Sequence, residues 1–514
     1  MADSNAVSLL QVLWGTVSPH KIAFIDSKTN QRISHGDLRR SVAAAASGMV
    51  SLGICPGDVV LIVLGNSIEF VVLFLGVLAL GATVTTANPQ NTVKDIQRQV
   101  ADSRARFVFS SGSLASKIQE LRLPMLLVGK PGFPVSHVSY EDLLDDGNSS
   151  AMDLPAKKKL SPAALLYSSG TTGVSKGVIL SHGNLVAAME TLYTARKEPV
   201  PEDEVSLGML PFFHIAGLIY GVLATIYSGT TMVVVAKFEL LEIFETIERY
   251  KVTQMTAVPP MIIAFIKHHS SSKRYDLSSL SRVVCGAAPL GRETHEAFLR
   301  LYPQVARFPQ AYGMTETTGL GFGASKDTVV GSAGKIMPGF EAKVVEVGTG
   351  RTLPPGSQGE LCLRGRCIME VGYLNNPKAT SETIDKDGWL HTGDLVLLDT
   401  DGNMFAMDRL KELIKYKGFQ VAPAELEALL LSHPAIQDCT VVPFPNEEAG
   451  EVPLAYVVRV PHSTLSEAEV VDFVSKQVAP YKRVRQVRFL DAIPKSATGK
   501  LLRRELVARS RSRL

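Results

Sequence analysis

Two short apolar runs, Ala163 to Tyr167 and Val178 to Leu180, enclose the segment Ser168-Ser169-Gly170-Thr171-Thr172-Gly173-Val174-Ser175-Lys176-Gly177. Runs of this length bounded by glycine read as strands, so the segment is expected to join two of them. Gly170, Gly173 and Gly177 let backbone N–H groups approach an anion closely. The hydroxyls of Ser168, Ser169, Thr171 and Thr172 add donors, and Lys176 adds a compact positive charge. Together these residues suit a polyphosphate. They do not form a Walker A loop, which runs from strand to helix and follows its Lys with Ser or Thr for magnesium, where this chain has Gly177. A surface hairpin of Ser, Thr and Gly is the competing reading of the loop alone.

The 514 residues allow roughly three domain-sized units, or one large α/β body with an appendage. Strand-like segments (Val59 to Val63, Arg106 to Phe109, Pro124 to Val128, Met232 to Val235, Thr253 to Ala257, Arg282 to Val284) alternate with helical patterns through the first three quarters, which predicts an α/β fold. From Gly339 to Gly365 the pattern changes to short strands with turns at Gly348-Thr349-Gly350 and Pro354-Pro355-Gly356, as in a small β-rich subdomain. After Asp408 a compact α+β unit is expected. It has helices from about Pro423 to Ser432 and Ser466 to Val478, and strands at Asp438 to Pro443 and Leu454 to Val460.

The longest apolar stretch, Phe70 to Val84, is shorter than a bilayer span and contains Gly76 and Gly81, so it is expected to be a helix buried against a sheet. No transmembrane segment is predicted. Five cysteines (Cys55, Cys285, Cys362, Cys367, Cys439) are odd in number and scattered, which suits buried thiols in a reducing compartment. Net charge is +3, but Tyr481 to Leu514 carries eleven Lys or Arg against two acidic residues. With few aromatics to stack bases, this basic tail is read as a charged face near a phosphate-bearing ligand, and no nucleic-acid partner is expected. The ending Ser512-Arg513-Leu514 matches the small-basic-Leu pattern of a peroxisomal address, so binding by a peroxisomal import receptor is expected.

Further segments follow in a fixed order: Pro211-Phe212-Phe213-His214-Ile215, Gly286-Ala287-Ala288-Pro289-Leu290, Tyr312-Gly313-Met314-Thr315-Glu316, Gly359-Glu360-Leu361-Cys362-Leu363-Arg364-Gly365, Trp389-Leu390-His391-Thr392-Gly393-Asp394, Asp408 to Gly418, and Pro494-Lys495 to Lys500. With the 168–177 loop, they resemble the adenylate-forming superfamily, specifically the 4-coumarate CoA ligase-like acyl-CoA synthetases, over nearly the whole chain. The resemblance implies a large multi-subdomain adenylation (AMP-binding) domain over 1–410 and a small mobile α+β domain over 411–514, hinged near Lys411. It implies that ATP with Mg2+ converts a carboxylate to an acyl adenylate, releasing pyrophosphate, and that CoA then displaces AMP.

On the same resemblance, Ser168 to Gly173 with Lys176 hold the outer phosphates, Thr315 contacts phosphate and Glu316 holds magnesium. Gly286, Ala287, Ala288, Tyr312 and Gly313 line the adenine. Asp394 accepts from the ribose hydroxyls with Arg409 nearby. Lys500 serves the first step, while Lys415 and Gln420 arrive for the second. His214 sits at the carboxylate and gates the CoA tunnel; by bare sequence it reads as a packed core histidine.

Hydroxycinnamate ligases typically have Tyr where this chain has Ala216, Lys-Ser where it has Val284-Cys285, and Gly where it has Ala311. Gly319 and Leu320 follow in the same pocket-forming stretch. The polar partners of a ring hydroxyl are gone, so medium or long aliphatic acids or jasmonate-type cyclopentanone acids are expected. A phenylpropanoid acid remains open if the losses are compensated elsewhere. Two rival readings are a luciferase-type adenylating monooxygenase and a noncatalytic acyl or nucleotide sensor.

Overall fold

The helix Ile68–Leu80 buries every side chain but that of Glu69, as expected of an all-apolar segment with no polar face to present to water. Ser67 caps it, its hydroxyl accepting from Phe70 N at 3.1 Å. Gly81 ends it with φ +85°, a left-handed turn that other residues adopt at a cost. The apolar stretch therefore does not continue as helix to Val84, and Thr83–Thr86 is a fully buried strand. The computed structural model describes residues 6–15, 17–145, 157–168, 175–196, 198–323, 329–417, 419–446, 448–496 and 501–511.

Thr83–Thr86 lies inside a seven-stranded sheet ordered Lys176–Ser181, Pro162–Ser168, Thr83–Thr86, Val59–Val63, Phe107–Ser111, Met125–Val128, Val138–Ser139. All neighbours pair in parallel except the first two, which run antiparallel. A second sheet is ordered Arg282–Cys285, Gln254–Ala257, Val205–Gly208, Thr231–Val234, Ile22–Asp26, Arg32–Ser34, parallel except for the last pair. Helices cover both, and the largest core joins the first sheet to the Ile68–Leu80 helix and to Leu185 to Met189.

A four-stranded antiparallel sheet, Phe340–Val345, Gln358–Gly365, Leu390–Leu398 and Met404–Arg409, forms the β-rich subdomain. Beyond it a separate sheet combines Phe419–Val421, Ile414–Tyr416, Gly450–Arg459, Ile436–Asn446 and Gln486–Phe489, with helices Pro423–Leu431, Glu467–Ser475 and Arg503–Arg511 and its own apolar core. Where the segments differ from the sequence reading, the strands extend further: Ile436–Asn446 and Gly450–Arg459 pair along their length, so the ladder carries polar ends that hydropathy alone does not mark. No helix among the described residues is long and apolar enough to cross a membrane.

Candidate functional site

The antiparallel pair Pro162–Ser168 and Lys176–Ser181 sets Ser168 directly opposite Lys176, so the glycine-rich loop leaves and re-enters the sheet at one point. The positions Ser169, Gly170, Thr171, Thr172 and Gly173 lie outside the described residues. At the loop's base the Ser168 hydroxyl donates to Glu316 Oε1 at 3.1 Å, and the Tyr373 hydroxyl donates to the same oxygen at 2.9 Å. Lys176 Nζ sits 4.7 Å from the Tyr373 ring centroid, a cation–π contact. Burial, then the charge of Glu316, pushes the Tyr373 hydroxyl above its ordinary range, which keeps it a donor. Tyr373 is the residue the sequence reading missed. Its signal is faint: a tyrosine after Gly372, just ahead of the Asn376-Pro377 helix start.

Glu316 is 5% exposed, and its second oxygen accepts from no described residue. A buried carboxylate oxygen with spare acceptor capacity suits a hard divalent cation such as Mg2+. Thr315 precedes it, buried in the same short helical turn, Thr315–Thr317.

In a second cluster the Tyr312 hydroxyl donates to Asp394 Oδ2 at 2.6 Å, and Arg409 Nε lies 3.4 Å from Asp394 Oδ1. Asp394 and Arg409 are register partners on adjacent strands, which explains their meeting. Burial, then Asp394, raises the Tyr312 hydroxyl well above its usual range. The segment leading to Asp394 is held from behind by Glu360, whose Oε1 accepts from Gly393 N at 3.1 Å and whose Oε2 lies 3.0 Å from His391 Nδ1. Glu360, Cys362 and His391 place donor atoms within 4.8 Å of one another. Burial, then Glu360, pushes the Cys362 thiol up to about 12, so it stays a thiol and the trio reads as a brace for residues 391–394.

The turn after Arg282–Cys285 carries Gly286, Ala287 and Ala288, the last two exposed, with Ala287 at φ +68°. Gln310 fixes this turn by accepting from Leu290 N at 2.9 Å and donating to Leu290 O at 3.1 Å. Gly313 allows the close crossing that follows, because a Cβ there would stand 2.2 Å from Gly319 O.

His214 is half-buried, and its Nδ1 accepts from Ala216 N at 3.3 Å, closing the turn that starts the Gly217–Leu223 π-helix. Ala216, Val284 and Ala311 line one cavity of about 170 Å³ together with Met189, Leu210, Phe212 and Met232. Gly319 and Leu320 do not line it. Leu320 is fully buried in the main core, and Gly319 reaches the cavity wall only through its carbonyl, which accepts from Tyr220 at 3.1 Å.

The structure brings Ser168, Lys176, Thr315 and Glu316 together at one end and Tyr312, Asp394 and Arg409 at the other. Among the described residues, neither Lys411 nor Lys415 makes a side-chain hydrogen bond or ion pair with these clusters. Lys411 and Lys415 are exposed, and the Lys415 ammonium pairs with no described carboxylate. Gln420 faces Lys415 across the Ile414–Tyr416 and Phe419–Val421 hairpin in backbone register only. Lys500 and the terminal Ser512, Arg513 and Leu514 lie outside the described residues.

Residues 14–374 match the AMP-binding enzyme family, and residues 425–500 match the AMP-binding enzyme C-terminal domain. The probable CoA ligase CCL5 of Humulus lupulus is 45% identical, covering 100% of this chain and 95% of its own. The peroxisomal OPC-8:0-CoA ligase 1 of Arabidopsis thaliana is 44% identical, over 96% and 92%. The o-succinylbenzoate CoA synthetase of Bacillus subtilis, solved with ATP and magnesium, is 27% identical with a TM-score of 0.82, over 97% and 98%. On these matches the chain belongs to the AMP-binding enzymes, as a 4-coumarate CoA ligase-like acyl-CoA ligase that works through an acyl adenylate.

Proposed function

We propose that this ligase activates an acid with a long, largely apolar body, of the aliphatic or cyclopentanone-bearing kind, within a peroxisome. The observation that carries the reading is the cavity behind Ala216, Val284 and Ala311: these side chains open onto Met189, Leu210, Phe212 and Met232, and those seven offer a ring hydroxyl no partner, while polar lining that includes Gln254 and Arg282 sits one step further along the same sheet face. A hydroxyl buried without a partner loses the bonds it made in water, which disfavours 4-coumarate relative to an apolar acid. The relative from Arabidopsis thaliana whose name specifies OPC-8:0 and a peroxisome supports both parts of the proposal, as does the terminal Ser512-Arg513-Leu514.

In the first half-reaction a carboxylate oxygen bonds to the α-phosphorus and pyrophosphate leaves. In the second the CoA sulfur bonds to the acyl carbon and AMP leaves. The 168–177 loop with Lys176 neutralises the outer phosphates, Asp394 accepts from the ribose hydroxyls beside Arg409, and Gly286 to Ala288 with Tyr312 and Gly313 flank the adenine. Thr315 contacts phosphate. Glu316 is the residue suited to Mg2+, which when bound would supply charge neutralisation at bridging phosphate oxygens. His214 stands at the carboxylate end of the cavity, and Lys500 bridges carboxylate and α-phosphate in the adenylating arrangement. Residues 1–410 and 411–514 form the two moving parts, with the hinge at Lys411.

The deciding experiment compares kcat/KM for 4-coumarate, cinnamate and a C8 to C18 acid series, with and without CoA. Preference for the aliphatic series by at least about tenfold is expected. A strong preference for 4-coumarate sinks the reading.

A further inference from the structure

The cavity is not apolar throughout. Its wall is one face of the second sheet, where side chains two residues apart on a strand point the same way. On that face Val284 is followed inward by Arg282, and Thr256 by Gln254, the two strands being in register as Gln254 with Arg282 and Thr256 with Val284. Moving from Val284 to Arg282 therefore moves one step, roughly 7 Å, deeper along the same pocket. The deep end is charged: Arg196, Glu204, Gln254 and Arg282 all line it.

Within this group Glu204 is already satisfied. Arg196 grips both its oxygens, Nη1 to Oε1 at 2.9 Å and Nη2 to Oε2, and Gln254 Nε2 donates to Oε1 at 2.9 Å. Nearby Arg307 is bridged to Glu198 at 2.8 Å. Arg282 is not bridged in this way. Its Nε is fully buried and donates no hydrogen bond to a described residue, so among the described residues three guanidinium groups stand against two carboxylates. A buried cationic donor without an acceptor is costly, and it lies at the end of a cavity that an acyl chain enters from the Ala216, Val284 and Ala311 side.

Resting on the acyl-CoA ligase reading above, we propose that Arg282 forms a distal acceptor site, so that the acid this chain prefers carries an oxygen acceptor (a ketone, hydroxyl or second carboxylate) at the end remote from the activated carboxyl. The apolar stretch between the two polar ends selects chain length, and the guanidinium selects the far group. A methyl-ended acid of the same length fills the middle but leaves Arg282 unpaired.

The test uses the full-length enzyme and four acids of matched length: methyl-ended, ω-hydroxy, ω-oxo and ω-carboxy. CoA thioester formation with ATP is followed for the wild type, Arg282→Met and Gln254→Leu. In the wild type kcat/KM for at least one oxygen-ended acid is expected to exceed that for the methyl-ended acid by roughly tenfold or more, with the difference in KM. Arg282→Met should abolish or invert that ratio while sparing the methyl-ended acid. The oxo and carboxy arms separate a neutral acceptor from an anion. A wild type that favours the methyl-ended acid, or an Arg282→Met enzyme that lowers all four acids equally, overturns the proposal. If Arg282→Met does not fold, the wild-type ratio and Gln254→Leu, which perturbs the same end without removing the cation, still decide it. Should no acid of any kind be converted, the ligase reading fails instead, and the two failures are distinct.

Discussion

Tyr373 shows how much of this site depends on single atoms. Its hydroxyl and that of Ser168 both donate to Glu316 Oε1, leaving the other oxygen open. This arrangement orients the carboxylate, because two hydroxyl donors converge on one of its oxygens. Tyr373→Phe keeps the ring under Lys176 and removes one donor. The expected result is a rise of about tenfold in the Mg2+ concentration giving half-maximal activity, with KM for the acid unchanged, measured by magnesium titration of pyrophosphate release. Unaltered magnesium dependence would mean that Glu316 does not hold the cation. The contact also marks a limit of sequence reading. Glu316 lies in a segment with recognisable neighbours, Tyr312-Gly313-Met314-Thr315, and was legible. Tyr373 is 57 residues away and meets it only because Met369 N bonds to Glu316 O and Gly372 O bonds to Ile179 N. Such convergence is set by topology and leaves no local pattern.

At the scale of elements, the helix Pro423–Leu431 begins against a residue of the preceding sheet. Asp408 Oδ2 accepts from Ala424 N at 2.8 Å while Oδ1 accepts from Arg409 N at 2.7 Å, so a carboxylate on the strand Met404–Arg409 caps the first helix of the C-terminal unit. Burial pushes the Asp408 carboxyl up to about 6 despite those two bonds and despite Arg503. A carboxyl that is higher in the folded chain than in the unfolded one binds more protons when folded between about pH 4 and 6, so its contribution to stability falls as pH rises through that window. Asp408→Asn removes the titration. Relative to wild type, the variant should gain up to about 3 kcal/mol of unfolding free energy from pH 4 to pH 7, read from denaturant melts at both pH values. A constant difference between the two proteins would show that Asp408 does not titrate there. Elements themselves were largely legible: Val59–Val63 falls where its apolar run predicts, and the Glu467–Ser475 helix starts one residue after its capping Ser466. The end of Ile68–Leu80 was not, because an apolar run does not reveal that Gly81 reverses the chain and that strand resumes at Thr83.

For the whole molecule the question is how one chain serves two attacking groups, a carboxylate oxygen and then a thiol sulfur. Among the described residues the C-terminal unit is attached by few polar contacts. Lys267 Nζ donates to Gln437 O at 2.6 Å, Asp408 caps Ala424, and Arg503 joins Glu412 in the connecting segment to Glu427. Contacts this sparse are compatible with rotation about a short segment, since few bonds must be exchanged between two positions. Lys415 sits in the Ile414–Tyr416 strand of that unit, exposed and without a carboxylate partner among the described residues, while Lys500 follows Lys495, which is anchored at 2.6 Å to Asp438. If each lysine acts in its own arrangement, their losses must separate. Lys500→Ala is expected to lower acid-dependent ATP–pyrophosphate exchange by 100-fold or so while leaving CoA thioester formation from supplied acyl adenylate within a few-fold of wild type. Lys415→Ala should show the reverse pattern. Both half-reactions can be assayed on the same preparations, so misfolding would appear as parallel loss in each. Parallel loss in both variants, with unfolding midpoints equal to wild type, would mean that a single arrangement carries both steps and that the hinge at Lys411 plays no catalytic part.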